Sequence, residues 1–215
     1  KVTDKEDLNS VDFIQLKVDS GLQSLFSLSE LTPNLVSLVL DESTIGSVRD
    51  IGTGFKDLMS LSINSCGLYD LDGIGALLSL KDLSACDNYI IDASDLAIHE
   101  SLEVINLAGN NIANISVADE LNSCPKLKSL FLSRNPVDKS PKYRLVISSL
   151  ISGLERLDGI PVDREKASKV TNSMLLEAAD ALQLAEEEME DEERLQKELE
   201  MDMGLILPDA GDNTT

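Results

Sequence analysis

The chain has 215 residues and a mass of 23.3 kDa, which is enough for one substantial domain with an appendage. Hydrophobic residues make up 42% of it, which excludes wholesale disorder, and the 3% aromatic content leaves the core to Leu, Ile and Val. The net charge of −21 and the absence of a long apolar run argue against direct contact with nucleic acid and against a membrane association.

Most of the chain repeats one short pattern, Leu-x-x-Leu-x-Leu-x-x-Asn/Cys-x-Ile/Leu. Five segments follow it, beginning with LVSLVLDESTIGSV and ending with LKSLFLSRNPVDKS, and FIQLKVDSG near the start is a weaker copy. The fourth position of the pattern recurs every 22 to 25 residues, at Leu16, Leu38, Leu61, Leu83, Ile105 and Leu130. Such regular recurrence indicates a repeat architecture rather than a chance similarity.

The pattern resembles the short, roughly 22-residue form of the leucine-rich repeat. The resemblance implies an α/β fold: a solenoid with a curved parallel sheet on one side and short helical or 3₁₀ segments on the convex side. The fourth and sixth positions face inward because side chains alternate along a strand. The ninth position, which is asparagine in the later repeats, is expected to satisfy backbone groups where the chain leaves each strand.

The chain divides into four parts by composition. We assign residues 1–134 to a solenoid of about six repeats and residues 135–162 to a C-terminal cap. Tyr-Arg and Leu-Asp-Gly in the second part resemble the cap of cytosolic leucine-rich repeat proteins typified by a phosphatase-1 regulatory subunit. Residues 163–203 are expected to form an acidic helix or a coiled-coil segment, and residues 204–215 a flexible tail.

The acidic extension leaves several arrangements open. It holds 16 acidic residues against 5 basic ones from residue 163 onward, and it has neither Gly nor Pro before about residue 203. Asp163 is the expected N-cap of its helix. The helix could pack on the cap, pair with a second coiled-coil strand, or remain a solvated tail, and the oligomeric state stays undetermined. Because the first residue is Lys1 rather than Met, we expect the sequence to be a segment of a longer protein.

The residue types that usually act in catalysis or metal binding do not form a recognisable site. Cys66, Cys86 and Cys124 lack metal-ligand spacing and are expected to be buried, reduced thiols of a cytoplasmic protein. His99 is the only histidine, and we expect it at the surface. No phosphate loop, calcium loop or nucleophile motif is complete. The sequence therefore predicts no catalytic residue, metal, cofactor or small-molecule substrate.

The concave face of the predicted sheet is the candidate binding surface. It is built from positions three, five, seven and eight, which are mostly small and polar, with acidic residues toward the N-terminal end. Aromatic and arginine anchors among small residues are typical of protein-binding grooves. We predict that a partner protein contacts Val39, Asp41, Glu42, Ser62, Asn64, Asp87, Val104, Asn106, Phe131 and Arg134.

Two stretches indicate which family of short leucine-rich repeat proteins the chain resembles. They are Ile45-Gly-Ser-Val-Arg-Asp-Ile-Gly-Thr53 and Ser65-Cys-Gly-Leu-Tyr-Asp-Leu-Asp-Gly-Ile74. Together they are similar to the leucine-rich-repeat-containing protein 56 family, over about residues 13–160. The resemblance implies a non-enzymatic adaptor for assembly or intraflagellar transport of axonemal outer dynein arms, located in the cytoplasm and in the cilium or flagellum. Its implied partners are axonemal dynein or the intraflagellar transport machinery.

Two other functions remain alternatives. One is a regulatory subunit that binds a phosphatase or another enzyme, but its expected row of large aromatic concave residues is missing. The other is a scaffold component of a ribonucleoprotein, for which the acidic charge argues against direct RNA contact.

Overall fold

The computed structural model describes residues 8–22 and 25–202, so the predicted flexible tail at 204–215 lies outside the described residues. One eight-stranded sheet runs through them in chain order, with β1 to β7 parallel and β8 antiparallel to β7. This confirms the predicted leucine-rich repeat solenoid. The strands are β1 (Phe13–Gln15), β2 (Ser37–Val39), β3 (Ser60–Ser62), β4 (Asp82–Ser84), β5 (Val104–Asn106), β6 (Ser129–Phe131), β7 (Arg156–Leu157) and β8 (Ile160–Pro161).

The fourth position of each repeat forms a continuous apolar column. These side chains stand in register from strand to strand, and each is at most 1% exposed. One repeat cannot bury its inward face alone, so each strand gains its apolar contacts from the repeats before and after it. The column consists of Leu38, Leu61, Leu83, Ile105 and Leu130.

The first repeat has a different register from the predicted one. Ile14, rather than Leu16, lies opposite Leu38, and the backbone N–H of Val18 donates to Ser43 Oγ at 3.0 Å. The sequence pattern could not separate the two registers, because a shift of two residues along a strand leaves the same side chains on the inward face. The prediction of Leu16 as the first anchor was therefore wrong. The anchor is Ile14, the inward-facing residue before it.

The ninth position forms the expected asparagine ladder. Asn110 Nδ2 donates to the carbonyl oxygens of Ala85 and Leu107, both at 2.9 Å, and its Oδ1 accepts from the N–H of Ile90 at 3.0 Å. Asn88 and Asn135 repeat this arrangement one repeat before and one repeat after. Each asparagine thus joins two neighbouring repeats through buried backbone groups.

The convex side carries short helices and 3₁₀ turns, as predicted. The helix expected at about 117–123 is present, a second six-residue helix spans Phe26–Leu31, and the remaining described convex segments carry short 3₁₀ turns. The convex and N-terminal elements are the turns Leu8–Ser10, Val48–Ile51, Ile74–Ala76, Ser94–Leu96 and Pro136–Lys139 and the helices α1 (Phe26–Leu31) and α2 (Val117–Asn122).

The C-terminal end is closed by α3 (Tyr143–Leu150) and the β7–β8 hairpin. Asp158 Oδ1 accepts from the N–H groups of Leu132 and Ser133 at 2.8 and 2.9 Å, and its Oδ2 accepts from the Tyr143 hydroxyl at 3.0 Å. Arg144 Nη1 donates to the Leu157 carbonyl at 2.7 Å. The Tyr-Arg and Leu-Asp-Gly pieces noted in the sequence therefore bind each other at the edge of the last complete repeat.

The acidic extension is two helices rather than one. Asp163 caps α4 (Arg164–Ala167) by accepting from the N–H of Lys166 at 3.1 Å, and α5 (Asn172–Asp202) follows after a break. At the break, Thr171 Oγ1 accepts from the N–H of Met174 at 3.4 Å, and a β-branched residue with a capping hydroxyl favours a new helix start.

The beginning of α5 packs on the cap. Ala178 is buried, the Ser140 hydroxyl donates to its carbonyl at 3.2 Å, and Lys142 pairs with Glu177 at 3.2 Å. Leu184 and Leu195, farther along the same helix, are exposed. The sequence left three arrangements open for this helix: packed on the cap, paired in a coiled coil, or solvated. The structure shows that the beginning of the helix is packed on the cap.

His99 is buried, at 2% exposed, so its predicted surface position was wrong. It lies six residues before the anchor Ile105, a place where the other repeats also bury a side chain, such as Leu77 and Cys124. Its Nε2 lies 3.2 Å from the Ile74 carbonyl, and among the described residues its Nδ1 has no hydrogen-bond partner. The repeat position, rather than the residue type, determines its burial.

This burial predicts acid sensitivity. Desolvation lowers the pKa of His99 in the folded chain below about 6.5, the value for an unfolded histidine, although the Ile74 carbonyl partly opposes it. The unfolded state then binds the proton more readily, so His99 should reduce stability as pH falls below about 6.5. Relative to His99→Leu, the unfolding free energy of the unmodified chain should decrease between about pH 7 and 5. If urea denaturation gave the unmodified chain and His99→Leu the same dependence of unfolding free energy on pH, this effect would be excluded.

Candidate protein-binding surface

The concave face is the open side of the parallel sheet. Its side chains come from the strands and from the turns directly after them, whereas α5 packs mainly against α3 and the turn Pro136–Lys139. The predicted surface residues fall into three groups there: a hydrogen-bonded row, two ion pairs and three half-buried apolar side chains.

The hydrogen-bonded row crosses the first half of the face. Asp41 Oδ1 accepts from the Ser62 hydroxyl at 2.6 Å, and Asn64 Nδ2 donates to Ser62 Oγ at 2.8 Å. Asn64 Oδ1 accepts from the Ser84 hydroxyl at 2.8 Å, and Asn106 Nδ2 donates to Ser84 Oγ at 3.3 Å. The row fixes these side chains before any partner arrives.

The two ion pairs lie at opposite ends of the face. Lys17 pairs with Glu42 at 2.9 Å, and Arg134 Nη1 pairs with Asp87 Oδ1 at 2.6 Å. The second pair spans two repeats and passes over Gly109, where an added Cβ would collide with Asp87 Oδ1. The hydrogen bond from Arg134 lowers the pKa of the Asp87 carboxyl. Glycine at this position thus permits the pair to form.

Val39, Val104 and Phe131 are the apolar members, and each is half-buried. Val104 and Phe131 stand on the adjacent strands β5 and β6, whereas Val39 is separated from them on β2. The structure therefore places Val104, Phe131 and Arg134 in the C-terminal half of the face and leaves Val39 apart. Their role in binding stays a prediction.

The eighth position has a backbone feature that the sequence did not indicate. Its φ is positive in every central repeat, at 58° for Glu42, 55° for Ser65 and Asp87, 68° for Gly109 and 61° for Arg134. Only glycine adopts this conformation without strain. The neighbouring strand compensates through hydrogen bonds such as Asp87 N–H to the Ala108 carbonyl at 2.9 Å. Three of the predicted surface residues, Glu42, Asp87 and Arg134, therefore have a backbone conformation that costs energy but is held by hydrogen bonds.

The three cysteines are free thiols. Cys66 and Cys124 are buried, and desolvation raises the pKa of each to about 11, so they remain protonated and unreactive. Cys86 is only half-buried, contrary to the prediction, because its seventh position faces the concave side. Within residues 8–22 and 25–202 there is no group of three or more His, Cys, Asp or Glu side chains that could hold a metal.

The described helices include none that is both long and apolar enough to cross a bilayer. The long helix α5 carries most of the acidic residues already noted, and its Leu176, Leu184 and Leu195 are exposed.

Comparison with known proteins agrees with this architecture. The Leucine Rich repeats (2 copies) family matches residues 100–143. Leucine-rich repeat-containing protein 56 of Rattus norvegicus is 39% identical over 168 residues, which is 73% of this chain and 31% of the relative. The Homo sapiens protein of that name is 38% identical over the same share of the chain. The chain thus spans about a third of the length of these relatives.

A solved structure shares the fold. The crystal structure of the Drosophila melanogaster SNF/U2A′ complex contains a chain that matches 61% of this one with a TM-score of 0.57 and 25% identity, and 77% of that chain is covered. The repeats and the relatives support a protein-interaction role. The chain belongs to the leucine-rich repeat proteins and, as its sequence motifs predicted, is similar over most of its length to leucine-rich repeat-containing protein 56.

Proposed function

We propose that the chain is a non-enzymatic adaptor whose concave face binds a protein of the outer dynein arm or of the intraflagellar transport machinery, in the cytoplasm and the cilium. The observation that carries the proposal is the pre-ordered concave face, in which Asp41, Ser62 and Asn64 are already fixed by one another. The repeats and the similarity to leucine-rich repeat-containing protein 56 support a protein partner, and the choice of that partner follows from the family resemblance of the sequence motifs.

Pre-ordering makes the face suited to binding. A partner that docks there does not have to immobilise the row of polar side chains, which removes part of the entropic cost of association. Val104 and Phe131 offer apolar area on adjacent strands in the same half of the face as Arg134, and aromatic and arginine side chains are common among residues that dominate binding energy. At the other end, Asp41 favours a basic region on the partner, whereas Glu42 already forms an ion pair within the chain.

The double substitution Phe131→Ala and Arg134→Ala tests the concave face. Because both side chains are anchors in the proposal, we expect recovery of dynein-arm or transport subunits from ciliated-cell extract to fall at least about tenfold. The melting temperature should fall by less than about 5 °C, since the lost ion pair is exposed and the lost ring is only half-buried.

Leu78→Ala is the matched control, because this convex side chain is 72% exposed. It should leave recovery unchanged. Equal recovery by the concave variant and the unmodified chain, or recovery of no dynein or transport subunit by either, would contradict the proposal.

A further inference from the structure

A strip of exposed apolar side chains lies on a different surface, the edge where the chain turns away from the strands. Tyr69, Tyr89 and Ile91 are 69%, 51% and 61% exposed there. The two tyrosine rings stack with their centroids 5.2 Å apart and their planes 22° from parallel. We call these three residues the tyrosine strip.

The repeat itself does not need apolar residues at these places. Tyr89 occupies the tenth position, and Tyr69 and Ile91 occupy the twelfth. Other repeats fold with small or polar residues at the same positions, such as Thr44, Gly46, Asn111, Ala113 and Asp138. The strip therefore adds exposed apolar area without serving the core, a feature that marks interaction surfaces.

A cleft continues the strip toward the C-terminus. It has a volume of about 490 Å³ and lies between the fifth repeat and α5, with Ala113, Ile115 and Leu182 on its walls. Ala113 occupies the same twelfth position as Tyr69 and Ile91, one repeat farther on. Because repeats stack about 4.8 Å apart, strip and cleft form one line along three repeats.

The rim of this line is negatively charged. Asp70 and Asp92 follow Tyr69 and Ile91 directly in the chain, and Asp180 and Glu187 line the cleft. Desolvation raises the pKa of nearby Asp95, and the Asp72, Asp92 and Asp70 carboxylates raise it further, so negative charge is concentrated here.

Arg49 lies beside this rim, and its hydrogen bonds go to Asp72 rather than to Asp70 or Asp92. Arg49 binds Asp72 through two hydrogen bonds, Nε to Oδ2 at 2.5 Å and Nη2 to Oδ1 at 2.6 Å. Gly73 permits this contact, since an added Cβ would lie 2.8 Å from the Arg49 backbone nitrogen. Asp70 and Asp92 accept only local hydrogen bonds from the described residues, namely from Asp72 N–H and from Ser94.

We propose that the tyrosine strip and the adjoining cleft bind a basic, partly apolar segment of a partner protein, with arginine side chains over the tyrosine rings. Arginine packs favourably on aromatic faces, and the rim carboxylates complement its charge. Apolar side chains of the same segment then cover Ile91 and Leu182. This site is separate from the concave face, so the adaptor would hold two partners, or two parts of one.

Fluorine NMR of the full chain with 3-fluorotyrosine at its tyrosines gives a direct test. The chain has only three tyrosines, and Tyr143 is buried in the cap at 8% exposed. A synthetic peptide rich in arginine and leucine is the probe. We expect it to shift the Tyr69 and Tyr89 signals and to leave the Tyr143 signal unchanged.

Variants then identify the groups responsible. The triple substitution Tyr69→Ser, Tyr89→Ser and Ile91→Ser should weaken peptide binding at least about tenfold by fluorescence anisotropy. Asp70→Asn with Asp92→Asn should weaken it less and reduce its salt dependence. Leu78→Ser is the control, since it removes a side chain of similar exposure from the convex side.

Three results would overturn the proposal. The first is the absence of any Tyr69 or Tyr89 shift at saturating peptide. The second is equal weakening by Leu78→Ser, or by Phe131→Ala with Arg134→Ala, which would place the peptide elsewhere. The third is a dependence of the Tyr69 and Tyr89 signals on protein concentration without peptide, which would indicate that a second copy of the chain covers the strip.

Discussion

Replacement of Asn110 by alanine should lower the free energy of unfolding by about 3 kcal/mol. The substitution leaves the carbonyls of Ala85 and Leu107 and the N–H of Ile90 in the core without their side-chain partner. Each buried polar group left unpaired costs about 1–3 kcal/mol, and Asn110 is only 4% exposed. Chemical denaturation followed by circular dichroism measures the loss.

Asn111→Ala is the matched control. The next residue is exposed and carries the same side chain, so its loss should change stability by less than about 0.5 kcal/mol. If the two variants proved equally stable, the Asn110 side chain would not be what joins the fourth and fifth repeats.

Asp158→Ala should have the second large effect, a loss of about 3 kcal/mol. It removes the acceptor of the Leu132 and Ser133 N–H groups and of the Tyr143 hydroxyl. Burial and the Asp158 carboxylate both raise the Tyr143 pKa, so the phenol stays a donor that needs this acceptor. The same denaturation measurement applies.

Two further variants separate the contributions at the cap. Tyr143→Phe removes one hydrogen bond and should cost about 1 kcal/mol, whereas Glu155→Ala at an exposed site should be nearly neutral. An Asp158→Ala loss no greater than that of Glu155→Ala would contradict the importance of this carboxylate for the last strand edge.

The repeat pattern was sufficient for the fold because each inward position has one chemical requirement. Leu61 and Ile105 must be apolar and Asn110 must offer a donor and an acceptor, so sequence spacing alone located them. Ile14 and Leu16 satisfy the same requirement, which is why the first register could not be determined. The surface position predicted for His99 was wrong because its place in the repeat, which buries a leucine or a cysteine in other repeats, determines its burial.

The surface was less predictable because its positions have no fixed requirement. The list of concave residues followed from strand alternation, but the linkage among Asp41, Ser62 and Asn64 depends on side-chain geometry between repeats. Of the tyrosine strip, only Tyr69 lies within a family motif, and the other two residues lie outside both motifs. The significance of the strip follows from the exposure of Tyr69 and Tyr89, which the pattern does not encode.

Photocrosslinking from Phe131 tests the adaptor hypothesis most directly. A p-benzoylphenylalanine at this position preserves the aromatic ring on the concave side, and the same group at Leu78 reports on the convex side. In ciliated-cell extract, we expect the Phe131 position to form an adduct with an outer dynein arm or transport subunit and the Leu78 position to form none. Adducts with such subunits from Leu78 alone would contradict binding through the concave face.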